Sequence, residues 1–199
     1  MKKKLCALLV VCMLICSTGC QKTTPMSEQL ATVFEKYHFS PTMSSVNLNS
    51  NGYYVTQIPP KVLHQPGSTV VDYIGAAKRV PEKAVLGITY AEYSNEQDAK
   101  NVFENEQKKI LSQISESGTG YSVDNYVIGF YVPTIGNNDN TCLFYILYKS
   151  DSTIVYINEQ GPLSYVEENQ DLVAEVCKTV CFDPTDNYNK LINDLRSST

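Results

Sequence analysis

The chain predicts an α+β domain: an antiparallel sheet of about five strands, a hairpin plus a three-strand meander, with helices packed on one face and a signal peptide ahead of it. Three observations carry this expectation. Short runs rich in Val, Ile and Tyr are separated by Gly, Pro, Asn and Asp, the punctuation of hairpin-connected strands. Between and after them, longer segments repeat apolar residues at helical spacing. The N-terminus follows neither pattern and ends in Ser17-Thr18-Gly19-Cys20.

That N-terminus opens with Lys2, Lys3 and Lys4, and residues 5–16 are a run of twelve apolar residues. A spanning helix needs roughly 20 such residues, so the run is too short to be one. A basic start, a short apolar core and small residues at the end describe a secretory signal. The small residues lead directly into Cys20, an arrangement that resembles the lipobox of bacterial lipoproteins of the Gram-positive type. Gly19 and Thr18 fit that pattern; Ser17 stands where it prefers Leu. The resemblance implies that Cys20 carries a thioether-linked diacylglycerol (with palmitate as a typical chain) and becomes the first mature residue. The plainer alternative is an ordinary secretory signal with an incidental cysteine. With two acyl chains, each buried CH₂ adding about 0.8 kcal/mol, the anchor would be stable. The expected division is therefore a signal peptide at 1–19, a tether at 20–26, one α+β domain at 27–184 and an amphipathic C-terminal tail at 185–199.

Of 199 residues, 180 follow the signal, enough for one domain with a real core. They carry 13 basic and 21 acidic side chains, a net charge of −8. That balance argues against nucleic acid and against electrostatic adhesion to anionic lipid. The membrane partner is then reached through lipid on Cys20. Cys142, Cys177 and Cys181 also follow the signal; either one bridge joins Cys142 to Cys177 or Cys181, or all three are small buried apolar residues.

Ser27 is placed to cap a helix to about His38, with Leu30, Val33, Phe34 and Tyr37 on one face. Asn51-Gly52 signals a hairpin within 46–58. Residues 69–77 and 84–93 read as antiparallel strands turned at Pro81-Glu82. Ser94 opens the strongest helix, with Gln97 completing a capping box and Ala99, Val102, Phe103, Ile110 and Ile114 on its apolar face. That helix is expected to fade before a loop at 117–120. Strands at 125–132, 141–149 and 153–158 make the meander. A helix over about 166–181 buries Val173, Val176, Cys177, Val180 and Cys181, and Pro184 stops it. Tyr188, Leu191, Ile192 and Leu195 suggest a short C-terminal helix.

The stretch YAEYSNEQDAKNVFE (residues 90–104), the Asn140-Thr141 pair leading into LFYILYK, and the closing helix DLVAEVCKTVCF are similar to small α+β lipoproteins of Gram-positive anaerobes, a domain of unknown function. The likeness runs over about residues 27–182. It implies a strand ending in an aromatic, a capped helix, and a central strand opened by Asn-Thr. It brings no catalytic residues.

Motifs with chemistry are scarce. His38 and His64 lie in unrelated segments, and neither His-Glu-x-x-His nor Cys-x-x-Cys occurs, so neither a metal nor a cofactor is expected. No Gly-x-Ser-x-Gly elbow is present. Residues 137–140 offer oxygen atoms but too few carboxylates for a calcium loop. Glu106 is the one oddity: at about 100° per residue it falls on the apolar stripe of its helix. It either lines a ligand pocket or pairs with a Lys where the helix overhangs the sheet. Fourteen Tyr and no Trp make the strands tyrosine-rich. The expectation is a lipid-anchored protein on the outer face of the cell membrane, a non-enzymatic binding or accessory protein whose partner is an envelope protein or a small molecule. The alternative is a small-ligand receptor or enzyme with its pocket at Glu106, the Tyr-rich sheet and loop 59–68.

Overall fold

A computed structural model describes residues 24–41, 52–56, 68–80, 84–132 and 141–198. The strands are β1 (Ser40–Pro41), β2 (Gly52–Thr56), β3 (Val70–Val80), β4 (Ala84–Tyr93), β5 (Gly118–Val123), β6 (Tyr126–Tyr131), β7 (Thr141–Ser150) and β8 (Thr153–Pro162). The helices are α1 (Met26–Lys36), α2 (Glu96–Ser117), α3 (Leu163–Glu168), α4 (Gln170–Thr179) and α5 (Thr185–Ser198). They share one sheet in the order β1-β2-β3-β4-β8-β7-β6-β5, so the expected five strands become eight. All pair antiparallel except the two-residue β1, which runs parallel to β2.

The helices do not keep to one face, as expected, but cover both. Alternation along each strand sends residues of one parity to each side. On β7, Phe144 and Ile146 face the core under α1, α3, α4 and α5, while Tyr145 and Leu147 face α2. Both parities are apolar, and a sheet apolar on both faces has to be covered twice. The amphipathic segment at the C-terminus is α5, and its Leu191, Ile192 and Leu195 lie in the larger core.

Helix starts depend on contacts that the local sequence does not show. Ser27 is buried and its side chain does not cap α1; its backbone N–H donates to Asp72 Oδ2 of β3 at 3.1 Å. On α2 the cap is Asn95 rather than Ser94, its Oδ1 accepting from Asp98 N at 3.0 Å. Gln97 reaches forward to Asn101 rather than back to the cap. The expected single helix at 166–181 is two, α3 and α4, meeting at the buried Asn169. Asn51 and residues 137–140 lie outside the described residues.

The stretch read as a loop at 117–120 is the junction where α2 passes directly into β5. Gly118 N–H donates to Ile114 O, and a Cβ on Gly118 would press on the Phe130 carbonyl of β6. Backbone is a rigid obstacle, so Gly118→Ala should cost about 1–3 kcal/mol. Urea unfolding checks this, with the exposed Thr119→Ala expected to stay near wild type.

Candidate functional site

The most unusual chemistry lies on β8. Val155, Ile157 and Glu159 share one strand face, so Glu159 points with two apolar neighbours into the larger core. It is 1% exposed, and among the described residues neither carboxyl oxygen has a hydrogen-bond partner. Its cross-strand neighbours are Leu86 on β4 and Phe144 on β7. A carboxylate in such a place sheds its hydration without replacement, which favours the neutral acid. Burial raises its pKa from 4.5 to about 8, with Lys78 holding it partly down.

Lys78 lies one strand further, on β3 opposite Leu86. Its ammonium is engaged elsewhere. It donates to Glu168 Oε1 at 2.7 Å and to Asn169 Oδ1 at 2.9 Å, and stands 5.1 Å from the Tyr165 ring centre. Tyr165 Oη donates to the Lys78 carbonyl at 3.1 Å, and Asn169 Nδ2 donates to the Tyr165 carbonyl at 2.9 Å. This set fastens α3 and the start of α4 to β3.

Above Glu159 sits Tyr188 of α5. Its ring and that of Phe144 meet in a T-shaped contact at 5.1 Å, and among the described residues its buried hydroxyl has no hydrogen-bond partner. Burial, then the Glu159 and Cys177 charges, holds that phenol well above its ordinary pKa. Cys142 donates from Sγ to the Gly161 carbonyl at 3.3 Å; burial, then Glu159, pushes its thiol up to about 11. Burial, then Asp183, pushes Cys177 up to about 12. Cys142 and Cys177 are buried; Cys181, expected on the buried stripe, lies past the end of α4 and is exposed; all three are free thiols. The deeply protonated Cys142 and Cys177 are poor nucleophiles.

Tyr188 is also a wall of a groove of about 680 Å³ between α4 and α5, whose apolar lining includes Val173, Cys177, Phe182 and Pro184. Phe182 is fixed there by stacking on Tyr148 at 4.3 Å. Asp183 Oδ1 accepts from the backbone N–H and the hydroxyl of Thr185, which starts α5 and holds the Asp183 carboxyl below its usual range. Asn187 Nδ2 donates to Tyr126 Oη at 2.7 Å, tying the same turn to β6.

Glu106 belongs to the opposite side of the sheet. It is 30% exposed and forms an ion pair with Lys109 at 2.5 Å. Burial above all, then charges that include Glu106, raises the pKa of Tyr93 and Tyr156 on the Tyr-rich strands. Tyr145 and Tyr156 stack there at 6.4 Å. Cys20 and residues 59–67 lie outside the described residues. Among the described residues no group of three or more His, Cys, Asp or Glu is placed to hold a metal ion, and no helix is long and apolar enough to cross a membrane.

Sequence reasoning missed Glu159 and Lys78, and placed Tyr188 on the C-terminal helix without a role at a site. The expected strand stopped at Asn158, one residue short of the carboxylate. Extending the alternation of Val155 and Ile157 by one step would have put Glu159 on the apolar side.

No family model matches the chain, and no curated protein does. Among solved structures the chain is similar to the extracellular domain of PknH from Mycobacterium tuberculosis, with a TM-score of 0.40 and 10% identity, covering 76% of this chain and 91% of that one.

Proposed function

We propose that the chain is an extracytoplasmic lipoprotein, held at the outer face of the cell membrane through Cys20, whose domain binds a ligand or partner rather than catalysing a reaction. The observation that carries this reading is the N-terminal pattern: three Lys, twelve apolar residues, then Ser-Thr-Gly-Cys. The net charge of −8 after the signal supports a lipid anchor over charge as the means of attachment. From Cys20 to the start of α1 at Met26, six residues reach at most about 20 Å, which keeps the domain close to the bilayer. The binding half of the reading is supported by the α4–α5 groove, a volume within the usual range of small-molecule sites.

The test is the intact mass of protein extracted from membranes, beside Cys20→Ala. The expected mass lacks residues 1–19 and carries a diacylglyceryl group. Cys20→Ala is expected to remain uncleaved or to leave the membrane fraction almost completely. Cleavage without lipid would overturn the anchor and leave a secreted binding domain.

A further inference from the structure

We propose that the proton on Glu159 is a latch for the groove: while it is present α5 stays seated on the sheet, and its loss lifts the first turns of α5 and opens the space between α4 and α5. The use of such a latch in binding rests on the groove being the ligand site; the opening itself does not.

An ionised carboxylate in the core has to gain hydrogen-bond donors. The titratable groups on the elements around Glu159 supply no donor in place: on α3, Tyr165 gives its hydroxyl to the Lys78 carbonyl and Glu168 is paired with Lys78. From β3 comes Lys78, two strands away and so roughly 9–10 Å across the sheet. It is already engaged by Glu168, Asn169 and the Tyr165 ring of α3. From β7 comes Cys142, whose S–H is given to Gly161. The β4 neighbour, Leu86, has no polar group. From α4 comes Cys177, a buried thiol. From α5 comes the unpartnered hydroxyl of Tyr188.

Tyr188 is therefore the group that Glu159 recruits, or water reaches the carboxylate past it. The parts around it differ in how freely they can yield. The strands are fixed by their ladders on both sides. The α3 helix is fastened by the Lys78 set. The first turns of α5 are held by the Tyr188–Phe144 edge contact, the Asn187–Tyr126 hydrogen bond and the Lys190 ammonium 4.9 Å from the Tyr121 ring centre. The charged tie of α5, Arg196 to Glu167 at 2.8 Å, lies near its far end and would serve as the hinge. Because Tyr188 is shared by the carboxylate and the groove, moving it changes the groove.

The experiment is amide hydrogen exchange on the whole mature protein at pH 6 and pH 9, corrected for the intrinsic rate, comparing residues 185–198 with α2. Protection of α5 relative to α2 should fall at least tenfold from pH 6 to pH 9, and Glu159→Gln should remove that fall. Should the Gln variant fold poorly, Glu159→Met and a ¹³C-carboxyl NMR titration of wild type replace it. Protection of α5 and α2 falling together, an unchanged pH response in the variants, or a carboxyl that titrates below pH 6 would each overturn the latch. These readouts depend on neither the lipid on Cys20 nor a ligand, so their failure is separate from a failure of the proposed function.

Discussion

Wild-type protein should be less stable at pH 8 than at pH 5 by on the order of 3 kcal/mol, and Glu159→Gln should flatten that profile. The sign follows from the direction of the shift. The folded state holds a proton on Glu159 up to about pH 8, whereas an ordinary carboxyl releases it near 4.5. Stability is thus fully present below 4.5 and is lost as pH rises towards 8, the reverse of the behaviour of a salt-bridged carboxylate. Each unit of difference is worth about 1.4 kcal/mol, which sets the magnitude. Glu175 and Asp183 have lowered pKa values, so their contribution is lost on acidification below the ordinary carboxyl range and leaves the window from pH 5 to 8 undisturbed. The Gln variant should overtake wild type above neutral pH. Urea midpoints across this range decide the matter; a wild-type profile that is flat or rises from pH 5 to 8 would show that Glu159 is ionised and solvated in the folded state. Where α5 opens before global unfolding, the decline should level off at its alkaline end.

Phe144→Ala should cost about 3–5 kcal/mol, among the largest losses available to one substitution in this fold. Phe144 is fully buried, lies beside Glu159 in the β7–β8 register and makes a T-shaped contact with the Tyr188 ring. Truncation leaves a cavity bounded on one side by a carboxyl and a hydroxyl that both lack partners. A polar-lined cavity can hold water, unlike a purely apolar one. The variant should therefore be both destabilised and less sensitive to pH between 5 and 8, because water in the cavity lets Glu159 ionise at lower cost. Phe144→Leu should lose much less stability and keep the wild-type slope. Denaturation of the three proteins at two pH values separates packing from hydration.

Periodicity exposed the parts of this fold that depend on local pattern. The α2 stripe of Ala99, Val102, Phe103 and Ile110 is buried as its spacing requires, and so is the α5 stripe of Leu191, Ile192 and Leu195. The β3–β4 pair and the β6–β7–β8 meander also follow from the positions of turn residues. What failed depends on distant partners. Gly118-Thr119-Gly120 has the composition of a loop and becomes strand because β6 pairs with it. The cap for α1 is supplied by Asp72, whose number gives no hint of Ser27. The two-faced sheet was legible in principle, since LFYILY is apolar at every position. The inward face of Glu159 was legible from the same alternation, but its surroundings were not, because Tyr188 and Lys78 are brought to it from both directions along the sequence.

The strand order has a consequence for how the chain reaches this state. The β3–β4 and β5-to-β8 parts are built from near neighbours, but the β4–β8 ladder joins residues 61 to 75 positions apart, from Glu92 with Thr153 to Val85 with Gln160. Closing that seam is the slow, entropically costly event, and both cores wait for it because each spans the two halves. Glu159 faces Leu86 across that seam. Formation of the seam is therefore also the moment at which the carboxyl leaves water, so proton uptake and the joining of the two half-sheets become a single kinetic step.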